Sequence, residues 1–306
     1  MSHKTLVNGT VYEVNGGKCL VNGTAYDIKK GRTLINGTGE DIVFSSVSPI
    51  LDENDWTTIR EVSDAGQGAN YWSIGDRKEV TLNGTVGHLS LSNYTTYAFI
   101  IGFNHNASVE GANRIHFQLA KTDLSGGKDV ALCDSKYMNG VSATGYFSMN
   151  SSDTNSGGWK SSQMRTNICG TSLSSYSGTI IAVIPAALRA VLKSVTKYTD
   201  NTGNSVAASA VTATTDYFFL LSQYEVFGKT SKSNPNEASK QAQYAYYAAG
   251  NSKIKYKHSA MTTAVLWWLR SACYYNGNNF LLVVTTGSVD LGGSNFSLGF
   301  APGFCV

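Results

Sequence analysis

The sequence predicts an α+β fold preceded by a small β module. Three observations carry this reading. A motif built around Asn-Gly recurs every fourteen residues over positions 1–42. Beyond it, short β-branched and aromatic runs alternate with Gly, Asn and Ser, and few stretches show helical spacing. Glycine is abundant (31 of 306) while proline is scarce (4), and aromatics reach 11%. That composition fits a loop-rich chain with enough apolar area to build a core.

The repeat reads TLVNGTVYEVNGGK over 5–18, CLVNGTAYDIKKGR over 19–32 and TLINGTGEDI over 33–42, where it stops. Asn-Gly is a strong hairpin signal, because both residues accept positive φ in a type I′ turn. Val11, Tyr12, Glu13 and Val14 alternate as a half-exposed strand does. Hairpins this small make no core alone, so residues 1–42 are expected to serve attachment or oligomerisation. Residues 43–49 read as a linker.

Further along, Asp55 can cap a helix over 56–62 that Gly66 ends. Residues 71–74 and 78–82 read as strands, the second closed by Asn83-Gly84. Residues 97–103, 115–119 and 180–184 read as buried strands. Pro185 suits a helix start. Leu188, Val191, Leu192 and Val195 follow at helical spacing, with Arg189, Lys193 and Lys197 opposite them as a solvated face. Residues 217–221 read as a strand, and 238–249 as a Tyr/Ala-rich helix ended by Gly250. Residues 280–284 fit a central strand, Gly287-Ser288 a turn, and 299–306 a final buried strand.

Several function classes are disfavoured. Lys+Arg 24 against Asp+Glu 21 gives a net charge of +3 with no basic cluster, so nucleic acid is not expected as a partner. No apolar run approaches the roughly 18 residues of a membrane span, so no membrane insertion is expected. The opening MSHKTLVNGT has no apolar h-region, so no secretory signal is expected, and the NGT triplets read as turns. Cys19, Cys133, Cys169, Cys273 and Cys305 are scattered and read as reduced, buried thiols. His3, His88, His105, His116 and His258 lack metal-ligand spacing, and Asp123, Asp129 and Asp134 lack EF-hand flanks and read as loop residues. No nucleophile elbow, P-loop, dinucleotide fingerprint or carboxylate pair stands out. No metal, no cofactor and no enzymatic activity are expected.

The run DWTTIREVSDAG…YWSIGDRKEVTLNG, then IIGFNHN, MN…GGWKSSQMR, LLSQYEVFG, WWLRSA and the closing GFAPGFCV resembles a domain family of gut bacterial phages and prophages. The resemblance covers residues from about 50 to 306. It implies a C-type lectin-like fold, as in the variable proteins of diversity-generating retroelements, a class that includes the phage major tropism determinant. Formylglycine-generating enzymes share that fold more distantly. In such proteins a reverse transcriptase rewrites adenine-containing codons near the C-terminus, and the fold displays the varied side chains to a ligand.

The tail's composition bears on this implication. Rewriting the adenines of an AAC-type codon cannot yield Lys, Glu, Gln, Met or Trp. The chain holds 17 Lys, 8 Glu, 6 Gln, 5 Met and 5 Trp, yet residues 273–306 contain none of them. Uniform usage would give that gap about one time in a hundred. A buried, Gly-rich terminal sheet would also exclude Lys, Glu and Gln, but 274–279 and 292–295 are too polar for a core. Tyr for rigid contact, with Ser, Gly and Asn for adaptable hydrogen bonds, is the palette of antibody paratopes.

The expected ligand-binding surface therefore comprises Tyr274, Tyr275, Asn276, Asn278, Asn279, Ser288, Asp290, Leu291, Ser294, Asn295 and Phe296, within a variable region of about 273–297. Trp267, Trp268 and Arg270 read as scaffold, with Arg270 bonded to backbone or a carboxylate. The expected function is a retroelement-diversified receptor-binding protein of a phage tail or virion, made in the bacterial cytoplasm. Its expected partner is a protein or glycan receptor on a host cell surface, and a homotrimer is expected by analogy with tail fibres. The alternatives are a fixed-specificity adhesin or lectin at the bacterial cell surface and, behind it, a formylglycine-generating-type oxidase using Cys273 and Cys305.

Overall fold

The computed structural model describes residues 47–306 throughout and, of residues 1–46, the backbone of six strands. Two compact units divide the chain, Met1–Pro49 and Ile50–Val306. In the first, β1 (His3–Val7) pairs antiparallel with β2 (Thr10–Val14), β3 (Gly17–Val21) with β4 (Thr24–Ile28), and β5 (Lys30–Ile35) with β6 (Thr38–Val43). Each repeat thus carries one hairpin. The Asn-Gly pairs at 8–9, 22–23 and 36–37 lie outside the described residues.

The second unit is mixed α+β. It opens with α1 (Trp56–Asp64), α2 (Gly68–Tyr71), β7 (Arg77–Val86), β8 (Leu89–Phe103), α3 (Ala107–Glu110), β9 (Ile115–Lys121) and β10 (Val130–Ala131). The middle holds α4 (Gly158–Ser161), α5 (Ile180–Val183), α6 (Ala186–Val191), β11 (Val195–Asp200), β12 (Val211–Asp216), β13 (Phe218–Phe219), α7 (Gln223–Phe227) and α8 (Ala245–Ala248). The last part is strand-rich: β14 (Lys255–Lys257), β15 (Ala260–Val265), β16 (Trp267–Ala272), β17 (Asn279–Val283), β18 (Val289–Gly293) and β19 (Gly303–Cys305). Among the described residues, no helix is long and apolar enough to cross a membrane.

The largest sheet runs β13-β19-β9-β8-β7, so the last strand of the chain lies inside it, hydrogen-bonded to β13 and β9. That placement buries residues 297–306 completely. Phe304 stacks on Phe117 at 5.3 Å, and Trp56 of α1 meets both rings edge-on. Helix α1 forms where its cap predicts: Asp55 Oδ1 accepts the Thr58 amide at 2.7 Å, and Trp56, Ile59 and Val62 face the core. A second sheet, β16-β17-β18, carries the candidate surface.

Several elements differ from the sequence reading. Residues 71–74 form no strand; Tyr71 ends α2, Trp72 is buried, and Asp76 folds the chain back by accepting the Ser73 amide. The β7–β8 hairpin passes Asn83-Gly84 through a register shift and turns at Gly87, where φ is +53°. Residues 180–184 form a helical turn, α5, instead of a strand; the apolar run has no periodicity to separate the two. Helix α6 stops at Val191, and Val195 starts β11. Lys193 and Lys197 are therefore buried, not solvated: Lys193 Nζ reaches Asp64, Ser63 and Asn113, and Lys197 Nζ reaches two buried glutamates.

Residues 217–221 hold only the short β13, and 238–249 holds only α8 after an Asn234-capped 3-10 turn, Pro235–Ser239. Between them the Gln241 and Gln243 side chains donate to backbone carbonyls of Tyr198 and Val226 and keep the chain extended. Asp129 and Asp134 are buried, not open loop residues. Asp134 is filled by the Lys136 and Phe147 amides and the Ser297 hydroxyl, and Asp129 by Lys121.

Trp267 and Trp268 are fully buried in β16. The Trp268 indole donates to Phe147 O at 2.9 Å, and its ring packs against Gly292, where an added Cβ would come within 2.8 Å of it. Trp268→Ala should cost about 3–5 kcal/mol in urea unfolding, the usual range for a truncated core aromatic. A loss under about 1 kcal/mol would show that the ring is not part of the core.

Candidate ligand-binding surface

The polar stretches flanking β17 and β18 form two loops that meet. Tyr275 is 53% exposed and Phe296 39% exposed, and Asn276, Asn278, Ser288 and Asp290 are also exposed. Tyr274, Asn279, Leu291 and Asn295 are half-buried. The Tyr274 and Tyr275 rings stand edge to face with centres 4.8 Å apart. In the register of the hairpin Asn279 pairs with Gly293, so loop 274–279 and loop 293–297 lie at one end. Asp153 joins them: its carboxylate accepts the Ser294 amide at 3.0 Å and the Asn278 carboxamide at 3.4 Å.

Two expected positions fall outside this patch. Ser288 lies in the turn at the opposite end of the β17–β18 hairpin, roughly 13 Å away along the strands. Ser294 is fully buried, and its hydroxyl donates to Asn278 O at 2.6 Å. It fastens the two loops together and presents nothing to solvent. Asp290 is exposed midway along the hairpin and pairs with Lys232 at 2.6 Å, a hydrogen bond that holds its carboxyl below the usual range.

The loops are held through their main chain by residues from outside the tail. The Asn155 carboxamide lies within 3.1 Å of three carbonyls, those of Cys273, Asn276 and Asn279, and the Asn155 amide donates to Gly277 O. Tyr274 N donates to Lys232 O, Asn150 N to Ser294 O, and Val141 N to Asn295 O. None of these bonds uses a side chain of the loop they fix. The segment 138–141 runs beside Phe296 and adds Met138, 47% exposed, to the patch. Sequence reading missed Asn155, Asp153 and Met138, because partners more than a hundred residues away leave no local signal.

Arg270 sits in a fully buried charge network. Its guanidinium grips Glu225 through two bonds, 2.5 and 2.8 Å, and donates to Leu220 O and Thr199. Lys197 Nζ donates to Glu225 at 2.9 Å, to Glu110 at 2.6 Å and to the Tyr244 hydroxyl at 2.9 Å. Burial would raise Glu225, but the two cations override it and hold the carboxyl well below its usual range. Burial dominates at Glu110 and pushes it up to about 7, and at Glu237 likewise. The Ser222-to-Glu225 spacing is a capping box, with both reciprocal bonds present, and is the one sequence signal that could have located Glu225.

His105, Glu110 and Glu225 bring ligand atoms within 4.8 Å of one another, a spacing a metal ion could bridge. Lys197 already occupies the space between the two carboxylates, and Arg270 neutralises Glu225 further. Two fixed cations against two carboxylates disfavour a third positive charge there. Cys305 Sγ lies 3.3 Å from His116 Nδ1, but burial pushes the thiol up to about 12 and drives His116 well below its usual value. A thiolate–imidazolium pair is therefore absent at neutral pH. Cys273 lies apart from Cys305, at the edge of the other sheet beside Ser233, and both thiols are free.

Residues 128–306 match the model of a family described as a domain of unknown function, DUF6273. The chain belongs to the DUF6273 family. The matched stretch contains both loops, Asn155, Asp153, Glu225 and Arg270. It leaves out β7, β8 and β9, although β19 is paired to β9 and the compact unit begins at Ile50. The physical domain is thus larger than the matched stretch. No curated protein and no solved structure matches the chain.

Asn155→Ala should remove the two N–H donors that three carbonyls share, of which Asn279 O keeps the Cys273 amide. It should cost about 1–3 kcal/mol and speed amide exchange across 274–279. Unchanged exchange in that loop would mean that Asn155 does not position it.

Proposed function

We propose that this DUF6273 protein is a binding protein whose C-terminal surface is diversified by a retroelement on a C-type lectin-like fold. The observation that carries the reading is the separation of roles in the tail. Exposed side chains gather in loops 274–279 and 293–297, while most of the bonds that hold those loops run from residues outside the tail to loop main chain; the buried Ser294 hydroxyl and the Asn276 and Asn278 carboxamides add the rest. Side chains there can change without removing the bonds that run from outside the tail to main chain. The missing Lys, Glu, Gln, Met and Trp of 273–306 support the same reading.

The protein then acts as a receptor-binding component of a phage tail or virion, assembled as a homotrimer, with a protein or glycan receptor on a host cell as its partner. Residues 1–42 serve attachment or assembly. A binding role, and no oxidase chemistry, is supported by the separated Cys273 and Cys305 and by the raised Cys305 thiol. A second reading, a fixed-specificity adhesin at the bacterial surface, gains from the burial of 280–283 and 297–306. Burial alone disfavours Lys, Glu and Gln at those positions.

Deep sequencing of codons 271–306 from the native population separates the two. Diversification predicts variation at adenine-templated codons for Tyr274, Tyr275, Asn276, Asn278, Asp290, Asn295 and Phe296. Trp267, Trp268, Arg270, Gly292 and 299–306 should stay fixed. An invariant tail would end the retroelement reading and leave the adhesin.

A further inference from the structure

A second buried polar centre lies away from the candidate surface. The Lys121 ammonium contacts Asp129 Oδ1 directly, and the two side chains are only 6% and 8% exposed. Their main chains form an isolated antiparallel bridge, so the loop 122–128 closes on this pair. Lys255 is fully buried beside it, with Nζ 3.9 Å from Asp129 Oδ2 and no hydrogen-bond partner among the described residues. The walls are aromatic: Phe99 lies 4.5 Å from Lys121 Nζ, and Trp267 lies 5.1 Å from Lys255 Nζ. Tyr246 links the reactive atoms, accepting from Lys121 Nζ at 2.9 Å and donating to Asp129 Oδ2 at 3.4 Å.

We propose that Lys121 and Asp129 condense to an amide cross-link between their side chains. Two amines share one carboxylate in a dry site, so they cannot both keep a full charge cheaply. Burial lowers Lys121 and brings Lys255 down to about 8. Burial favours the neutral forms of both partners, so a proton moved from Lys121 to Asp129 within the site frees the Lys121 amine as nucleophile.

The step balances without a co-reactant. The ion pair first becomes amine and carboxylic acid by moving one proton from Lys121 Nζ through the Tyr246 hydroxyl to Oδ2. Nζ then attacks Asp129 Cγ, forming the C–N bond. A second Nζ proton follows the same path to Oδ2, the Cγ–Oδ2 bond breaks and one water leaves. The product is an amide that keeps Oδ1 as its carbonyl oxygen. As Nζ attacks, charge builds on Oδ1, while Oδ2, protonated twice, leaves as neutral water.

The test is the intact mass of the natively folded full chain, followed by tryptic mapping. The expected result is a mass one water below that of the sequence. The water should be missing from a branched species joining residues 115–128 to 129–136, with Lys121 uncleaved. Lys121→Arg keeps the ion pair but cannot form this amide, and should restore the full mass, as should Asp129→Ala. Tyr246→Phe should slow the loss of water at least tenfold in freshly refolded protein. A wild-type mass equal to that of the sequence overturns the proposal without any variant. A water loss that maps elsewhere, or that persists in Lys121→Arg, overturns it too.

Discussion

The structure depends on one buried carboxylate. Glu225 lies where α7, β11 and β16 converge, between Arg270 and Lys197, and its side chain also caps α7 by accepting the Ser222 amide. Lys197 carries the network on to Glu110 of α3 and to Tyr244 ahead of α8. Removing either partner of such a pair strands an uncompensated charge in the interior, which costs far more than the pair contributes net. The arrangement therefore selects one packing of these elements. It also fixes β16, the inner edge of the sheet that bears the candidate surface. Next to Arg270 on that strand, the Ser271 hydroxyl donates to the equally buried Glu237 and accepts the Gln223 amide.

From β16 outward the constraint passes to main-chain bonds. β17 pairs with β16 and packs its apolar side chains inward, and β18 pairs with β17 but is half-exposed. Where the strands end, Asn155, Asp153 and Asn150 take over from the ladder and bind loop carbonyls and amides. A surface held in this way carries exposed aromatics without relying on them for its shape. Gly292 marks the limit of that freedom, because its position is closed by Trp268 and Leu282.

Local signals were legible in the sequence, and long-range ones were not. The Asp55 cap, the buried runs 97–103 and 115–119 in β8 and β9, the run of β17 and the positive-φ turn at Gly287 each follow from residues within a few positions. Residues 180–184 misled because an unpunctuated aliphatic run fits a strand or a buried helical turn equally. Lys193 and Lys197 misled because helical spacing was extended past Val191, where α6 ends, to a connecting residue and then into β11. Their burial depends on Asp64, Glu110 and Glu225, far away in sequence. The exposed tail residues were named from composition, yet Ser294 and Ser288 were misplaced, since composition does not reveal which end of a hairpin a residue occupies.

The central claim is that loop shape is set mainly from outside the tail and does not depend on the exposed side chains. The direct measurement is thermal and urea unfolding of one variant in which Tyr275, Asn276, Asn278, Asp290 and Phe296 are all replaced by other residue types at once. The account predicts a total change within about 1–2 kcal/mol, the sum of several small surface effects, with the amide exchange of 279–283 preserved. Loss of cooperative unfolding, or exchange of β17 at rates typical of an open chain, would show that these side chains hold the fold and would contradict it.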